Sequence, residues 1–405
     1  MNIAVAQSGG PTCAINASLA GVVKAGLSSE KIDKVYGALN GIEGIIADRL
    51  VDMSEYVDTE EERELLLRTP SAVLGSCRKK LPDYHTDEET YKIITERFRQ
   101  HDIGMFFYIG GNDSMDTVAK LSAYYSEKNI DIKVVGIPKT IDNDLCETDH
   151  CPGFGSAAKY VAATVQEITR DSNVYNVPSV TVVEAMGRHA GWLTAAACCM
   201  RANGETAPHV IYLPETVFSA DKFIEDVKEQ MKQHKAVIAV VSEGVKNADG
   251  RFAAESCQSN KVDAFGHSYL SGIGKFLEQL VTEKIGCKVR SIELNVMQRC
   301  SSHIASLTDI EESQLIGEEA VKAGLDGQTG VMMIFRRESD SPYRVSISSV
   351  SADKAANSEK FFPSEWINDE ENNVKDEAMS YFMPLIQGEL MPFMKNGLPS
   401  HMIIK

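Results

Sequence analysis

The stretches that decide the fold of this chain are Ile109-Gly110-Gly111-Asn112-Asp113-Ser114 and Val134-Val135-Gly136-Ile137-Pro138-Lys139-Thr140-Ile141-Asp142-Asn143-Asp144. Each is an apolar run that stops at glycine or proline and continues into acidic or amide residues. Residues 105–109 are typical of a buried strand. After them, Ser114 is placed to cap a helix whose apolar residues follow at helical spacing. The two stretches therefore predict a strand, a Gly-Gly turn, a helix, a second strand and an acidic loop.

Charged side chains follow both of these predicted strands. In an open parallel sheet, ligands bind where the carboxyl ends of strands meet the first turns of helices. Asp113, Asp142 and Asp144 lie at two such ends, beside Lys139 and Thr140. This cluster predicts chemistry on an anion, assisted by a metal ion.

Length and composition narrow the class of protein. A chain of 405 residues exceeds the usual size of one hydrophobic core, so we expect two lobes. The net charge of −17 argues against binding to nucleic acid or to an anionic membrane, since both need basic surfaces. No apolar run approaches the length of a membrane span. We therefore expect no nucleic-acid partner and no membrane partner.

The cysteines and the N-terminal residues point to a cytoplasmic location. The chain has nine cysteines, an odd number, and they show no paired spacing. Residues 1–6 lead straight into a predicted strand, without the basic segment of a signal peptide. We expect a reduced, cytosolic chain.

A second glycine pair, Gly9-Gly10, separates an apolar strand at residues 3–6 from a helix that Asn16 is placed to cap. Backbone N–H groups at such a turn can bind a phosphate. Many strand-to-helix turns use glycine only for its backbone freedom, so this motif leaves both interpretations open.

Strands alternate with helices along the rest of the chain. We predict strands at Ser179–Ala185 and at residues 210–213, 236–241, 288–294 and 331–335. Helical segments between them predict an α/β class with a parallel sheet in each lobe. His189 is interpreted as a helix-start residue, residues 349–376 as a polar surface crossing, and residues 379–394 as a final helix.

Taken in order, the motifs resemble those of the phosphofructokinase family over nearly the whole chain. They are Ser8-Gly9-Gly10, Gly75-Ser76-Cys77-Arg78, Gly110-Gly111-Asn112-Asp113-Ser114, Pro138-Lys139-Thr140-Ile141-Asp142-Asn143-Asp144, Met186-Gly187-Arg188, Glu243-Gly244 and Gln298-Arg299. Roughly the last 50 residues resemble those of the longer, pyrophosphate-using members. The resemblance implies two Rossmann-like lobes with parallel sheets flanked by helices. Residues 1–155 plus about 298–350 would bind the phosphoryl donor, and residues 156–297 plus about 351–405 would bind the sugar phosphate and form a C-terminal extension.

The resemblance also implies Mg²⁺-dependent, reversible phosphoryl transfer from pyrophosphate to the 1-hydroxyl of fructose 6-phosphate, releasing phosphate. It makes Asp142 the general base, with Lys139, Thr140 and Arg188 as the other catalytic residues. The donor-binding residues would be Gly10, Arg78, Gly111, Asp113, Ser114 and Lys139. The sugar-phosphate-binding residues would be Thr140, Asp142, Met186, Gly187, Arg188, Glu243, Arg290 and Arg299. The metal-binding residues would be Asn112 and Asp144. Arg290 would reach its phosphate from a neighbouring subunit, which implies a homodimer or homotetramer with shared active sites.

Two positions bear on the identity of the donor. ATP-using members carry glycine where this chain has Asp113 and Lys139, whereas pyrophosphate-using members resemble this chain. A buried carboxylate at Asp113 would repel the α-phosphate of ATP, and Lys139 would place a positive charge where the short donor ends. Alternatively, the two residues form a structural salt bridge with each other. An ATP-dependent enzyme and a catalytically silent sugar-phosphate-binding subunit are the alternative functions.

The chain departs from the family pattern at three positions. Asn112 stands where many members have a metal-binding aspartate. Ser179 replaces an arginine that crosses the subunit interface, and Val296 replaces a histidine or tyrosine that touches the sugar. These departures leave a seven-carbon ketose phosphate as an alternative acceptor.

Overall fold

The computed structural model describes residues 1–255, 272–356 and 358–404. Residues 256–271, 357 and 405, which belong to the expected sugar-phosphate lobe, lie outside the described residues. The first half contains β1 (Asn2–Gln7), α1 (Ile15–Leu27), β2 (Val35–Ala38), α2 (Gly41–Ile46), β3 (Leu50–Asp52), α3 (Glu60–Arg68), α4 (Glu88–Gln100), β4 (Ile103–Gly110), α5 (Asn112–Glu127), β5 (Lys133–Pro138), α6 (Phe154–Ser172) and β6 (Ser179–Ala185). The second half contains α7 (Trp192–Ala195), β7 (Val210–Tyr212), α8 (Ala220–Gln230), β8 (Ala236–Ser242), α9 (Ile273–Lys284), β9 (Lys288–Glu293), α10 (Met297–Cys300), α11 (Leu307–Leu325), β10 (Val331–Asp340), β11 (Tyr343–Ser351), α12 (Ala352–Ala355), α13 (Met379–Leu385), β12 (Met394–Lys395) and β13 (Leu398–Pro399).

The larger sheet has seven strands in the order β11-β10-β5-β4-β1-β2-β3. Its five central strands are parallel, and β3 and β11 run antiparallel at the two edges. In β4, Phe106, Phe107 and Tyr108 are fully buried. A strand buried on both faces needs apolar residues at every position, which is why β4 and β5 show continuous apolar runs.

Among the described residues, the smaller sheet has four parallel strands in the order β7-β8-β6-β9. The predicted α/β class with two sheets flanked by helices is therefore confirmed, and the predicted strand Ser179–Ala185 has the bounds of β6. The assignment of residues to two lobes stays a prediction. Among the described residues, no helix is both long enough and apolar enough to cross a membrane.

Both predicted helix caps are wrong. Helix α5 begins at Asn112 after Gly111, and Ser114 lies inside its first turn, where a Cβ on Gly110 would come within 1.9 Å of Ser114 Oγ. Helix α1 begins at Ile15, and the fully buried Asn16 accepts a hydrogen bond from the side chain of Gln7. At Asn16 a bond to β1 therefore replaces the capping bond, whereas Ser114 lies too far along α5 to be its cap.

The C-terminal part is also less helical than the sequence predicts. Helix α13 contains Pro384 and ends at Leu385, so the predicted helix over residues 379–394 is wrong beyond that point. The predicted surface crossing at residues 349–376 is wrong in part, because β11 occupies its start and Phe362 is 2% exposed. The ring centroid of Phe362 lies 5.2 Å from that of Trp192. These aromatic contacts attach the C-terminal segment to the core.

Candidate active site

The carboxyl ends of strands from both sheets open into one cleft of about 640 Å³. Loops that follow β1, β4 and β5 line one side, and loops that follow β6 and β8 line the other. The cleft contains most of the residues predicted to form the site: Gly10, Arg78, Gly111, Asn112, Asp113, Ser114, Lys139, Thr140, Asp142, Asp144, Met186, Arg188, Glu243 and Arg299.

Lys139 is fixed against the Gly9-Gly10 turn at the donor side of the cleft. Its ammonium group donates a hydrogen bond of 2.5 Å to the carbonyl oxygen of Gly10, and the residue is 2% exposed. Gly9 has a φ of +74°, and a Cβ there would lie 3.2 Å from Lys139 Nζ. Burial and the charge of Arg299 lower the pKa of Lys139 to about 8. The glycine pair therefore allows a buried cation to lie directly against the backbone.

Asp142 and Asp144 lie on the loop that follows β5. Burial raises the pKa of Asp142, although Arg299 and Lys139 favour its charged form. Burial and the charge of Asp142 raise the pKa of Asp144 to about 7. The backbone N–H of Asp142 donates to Thr140 Oγ1 at 3.1 Å. Two neighbouring carboxylates with raised pKa values can exchange a proton or bind a cation.

The opposite side of the cleft is built around the loop that follows β6. The backbone N–H of Met186 donates to Gln298 Oε1 at 3.1 Å, and that of Gly187 donates to Glu243 Oε1 at 3.4 Å. Burial and the charge of Asp142 raise the pKa of Glu243 to about 7. These bonds hold Arg188 at the cleft surface.

Two of the predicted site residues do not line the cleft. Gly187 is buried behind its wall, where a Cβ would lie 2.6 Å from the carbonyl oxygen of Ala190. Arg290 is exposed on β9, an edge strand of the smaller sheet, and its guanidinium lies 3.0 Å from Asp171. The role of Arg290 in a neighbouring subunit's site stays a prediction.

Asp113 is neither buried nor bridged to Lys139. Its carboxylate lies 2.9 Å from Lys80 Nζ, and the two side chains are 41% and 55% exposed. The expectation of a buried carboxylate at this position is therefore wrong, and so is the alternative of a bridge to Lys139, which bonds Gly10 instead. Asp113 lies in the first turn of α5 and lines the cleft.

Among the cleft residues that sequence reasoning missed are His189, Glu359 and Phe361. His189, interpreted as a helix-start residue, lines the cleft, and its Nδ1 lies 2.8 Å from Glu359 Oε1. Glu359 and the exposed Phe361 come from the C-terminal segment. No signal in the sequence places that segment at the cleft, because its neighbours in space are distant in the chain.

Comparison with known proteins agrees with this geometry. The model of the family described as Phosphofructokinase matches residues 2–323. A pyrophosphate–fructose 6-phosphate 1-phosphotransferase from Methylococcus capsulatus is 40% identical, with 100% of this chain and 96% of the relative covered. The crystal structure of a pyrophosphate-dependent phosphofructokinase from Nitrosospira multiformis is 37% identical with a TM-score of 0.89, covering 99% of this chain and 95% of the other. One from Marinobacter aquaeolei is 35% identical with a TM-score of 0.87, covering 100% and 97%.

Proposed function

The chain belongs to the phosphofructokinase family, and we propose that it transfers a phosphoryl group reversibly from pyrophosphate to the 1-hydroxyl of fructose 6-phosphate. The products are fructose 1,6-bisphosphate and phosphate. The observation that carries the proposal is the buried Lys139 ammonium on the same loop as Asp142 and Asp144, within one cleft. A protein that only binds sugar phosphates has no need of this combination.

Each of these groups has a distinct role in the transfer. Asp142 accepts the proton of the 1-hydroxyl as the hydroxyl oxygen attacks phosphorus, and a raised pKa makes its carboxylate a stronger base. Thr140 positions the sugar beside it. Lys139 stabilises the negative charge of the donor and of the transition state. Arg188, from the opposite wall, and Arg299, whose guanidinium lies beside Gly10, bind the sugar phosphate.

The same residues fit a magnesium ion. Among the described residues, no group of three or more His, Cys, Asp or Glu side chains could hold a metal. Mg²⁺ in phosphoryl-transfer enzymes commonly takes one or two carboxylates and fills its other positions with water and substrate phosphate. Asp144 would hold the ion, since binding a cation offsets its repulsion from Asp142. When bound, the ion neutralises charge on the transferred phosphoryl group.

Asn112, the other predicted ligand, has a competing role. In the orientation that satisfies its hydrogen bonds, its amide group donates to the carbonyl oxygens of Ala355 at 2.9 Å and Ser358 at 3.3 Å. We propose that Asn112 contributes at most its amide oxygen to the metal. Asp144 is the stronger candidate because it is a carboxylate.

The donor assay tests the proposed function. Purified protein should use pyrophosphate at least ~10²-fold better than ATP by kcat/KM with fructose 6-phosphate and Mg²⁺. Lys139→Gly should reduce turnover with pyrophosphate by roughly 10²-fold, since one preorganised donor is worth that much in a charged transition state. Efficient turnover of native protein with ATP would contradict the assignment of the donor.

Asp113→Gly should shift the donor ratio towards ATP by about tenfold, because a half-exposed carboxylate paired with Lys80 repels phosphate only moderately. Asp116→Gly is the matched control. Asp116 also lies on α5 and pairs with a lysine, Lys120 at 2.7 Å, but it does not line the cleft. The ratio should stay unchanged in the control. A shift of the same size in both variants would show that net charge, and not Asp113, determines the choice of donor.

We further propose a homodimer or homotetramer in which Arg290 completes a neighbouring site, in agreement with its exposed position on β9. Arg290→Ala should then raise the KM for fructose 6-phosphate in the oligomer. We also propose a cytoplasmic location. It is supported by the free thiols of the eight cysteines for which the structure describes the side chain.

A further inference from the structure

Asn143 lies between the two carboxylates of the active site and has an unusual backbone conformation. Its φ is +55°, a left-handed conformation that residues other than glycine rarely adopt, and its side chain is fully buried. The side-chain oxygen accepts a hydrogen bond from the backbone N–H of Cys151 at 3.0 Å, and the amide group donates to Tyr381 Oη at 2.8 Å. The conformation at Asn143 is therefore held by one side-chain bond to Cys151, farther along the loop, and one to Tyr381, outside the loop.

Tyr381 comes from α13, in the C-terminal extension, and its hydroxyl is used in both directions. It accepts from Asn143 and donates to the carbonyl oxygen of Asp149 at 2.6 Å. The ring centroid lies 4.5 Å from the guanidinium carbon of Arg337 and 5.1 Å from the centroid of Trp192. Tyr381 is packed on two sides and only 8% exposed, so its hydroxyl is held in one position.

We propose that Tyr381 is a positioning residue for Asp142 and Asp144. Its hydroxyl ties the residue between them to the carbonyl of Asp149, farther along the same loop. Without it, the left-handed conformation at Asn143 loses one of its two side-chain bonds, and both neighbouring carboxylates can shift. A displacement of about 1 Å can lower a rate roughly 10²-fold, because the reacting atoms lose their alignment. This inference rests on the proposed function, since it assigns the geometry of that reaction.

One backbone contact limits the expected effect. The N–H of Lys360 donates to the carbonyl oxygen of Asp144 at 2.7 Å, and this bond does not involve Tyr381. Asp144 thus keeps this backbone hydrogen bond when the hydroxyl of Tyr381 is removed. We expect a partial loss of activity, smaller than the loss caused by changing Asp142 itself.

The test is Tyr381→Phe, which removes the hydroxyl and keeps the ring. The expected result is a decrease in kcat of about tenfold with pyrophosphate, with the KM for fructose 6-phosphate within about twofold of native. The melting temperature should change little. A role confined to folding would lower the melting temperature and leave the kcat of the folded protein unchanged.

Tyr343→Phe is the matched control. Tyr343 also packs against the Arg337 guanidinium, at 5.2 Å, but its hydroxyl donates to Glu312 at 2.9 Å and not to the loop. Its kcat should stay at the native value. An equal decrease in the two variants would overturn the proposal, because the loss would then follow from any missing hydroxyl around Arg337.

Asn143→Gly provides an independent measurement, since glycine tolerates the left-handed conformation but has no amide group. It should lower kcat at least as much as Tyr381→Phe, because it also removes the bond from Cys151, and the double variant should be no slower than the slower single variant. Fully additive losses or an unchanged kcat in Tyr381→Phe would overturn the positioning role. Absence of turnover in native protein with pyrophosphate would instead refute the proposed function.

Discussion

The loop after β5 contributes to two groups of buried charges, and the two groups are built in opposite ways. The first, here called the cleft cluster, consists of Lys139, Asp142 and Asp144. The second, here called the paired cluster, consists of Asp149, His150, Glu312 and Arg337. Both include ionisable groups that are expensive to bury. The difference between them separates the part of the loop that reacts from the part that holds it in place.

In the paired cluster, each charge meets an opposite charge. His150 Nδ1 lies 2.8 Å from Asp149 Oδ2, and Nε2 lies 2.8 Å from Glu312 Oε2. Arg337 binds the same oxygen of Asp149 at 3.0 Å. Burial alone would lower the pKa of His150, but hydrogen bonds to the two carboxylates outweigh it and raise the pKa. This cluster is complete without a ligand.

In the cleft cluster, burial shifts each group towards its neutral form. The pKa of Lys139 falls to about 8, and that of Asp144 rises to about 7. Such groups gain stabilisation when a substrate phosphate or a cation arrives. We conclude that pKa shifts that favour the neutral form mark the reacting part of the loop, residues 139–144. Complete pairing of charges marks its structural part, at Asp149 and His150.

The largest expected difference between the two clusters is in kcat. Asp142→Asn should lower kcat by roughly 10²-fold or more, because the amide cannot accept the hydroxyl proton. The free energy of unfolding should stay unchanged or increase, since repulsion from Asp144 is relieved. Steady-state kinetics and urea unfolding measure the two quantities. Near-native kcat at matched pH and Mg²⁺ would remove Asp142 from the role of base.

The same substitution seven residues later should mainly affect the free energy of unfolding rather than kcat. Asp149→Asn should reduce the free energy of unfolding by about 2 kcal/mol, because Arg337 and His150 lose a buried countercharge. The kcat of the folded variant should fall by less than that of Asp142→Asn. Urea unfolding measures the free energy of unfolding of both variants. If Asp142→Asn proves the more destabilising of the two, the distinction between the clusters is wrong.

The smallest effect is a dependence of stability on pH. The pKa of His150 is raised above 6.5, its ordinary value. Its stabilising contribution is therefore fully present below pH 6.5 and is lost as the pH rises through the folded-state pKa. The charged groups that act on it or are affected by it are Asp149, Glu312, Asp309 and, through Asp149, Arg337.

The melting temperature of native protein and of His150→Asn, measured between pH 6 and pH 9, tests this dependence. The difference between the two proteins should narrow as the pH rises. A constant difference would show that His150 is neutral in the folded protein and bonds as an uncharged imidazole.

Local patterns in the sequence were sufficient for much of the fold and for the ends of the strands. The apolar run before Gly110 and the β-branched run of Ser179–Ala185 are short and rich in strand-forming residues, and both are buried strands. The charged residues that follow those strands then had to lie at the carboxyl ends of the strands. This is why most predicted site residues line the cleft, although their chemical roles stay predictions.

The errors have different causes, and some of those causes are local. Ser114 and Asn16 have the chemistry of helix caps, but Ser114 lies inside the first turn of α5 and Asn16 bonds the side chain of Gln7 on β1. The final helix is shorter than predicted because Pro384 lies in its last turn. Asp113 was expected to be buried, but its side chain is 41% exposed and pairs with Lys80.

The sequence by itself determined the alternation of strands and helices, the glycine turns and the residues after each strand, because these depend on periodicity and on neighbours in the chain. Only the tertiary structure decided which of those residues are buried, which are paired and what holds them. Asn143 and Tyr381 are 238 residues apart and share a hydrogen bond of 2.8 Å. His189 likewise meets Glu359 only in space. Such contacts depend on how the C-terminal segment packs against the core, and no local pattern encodes them.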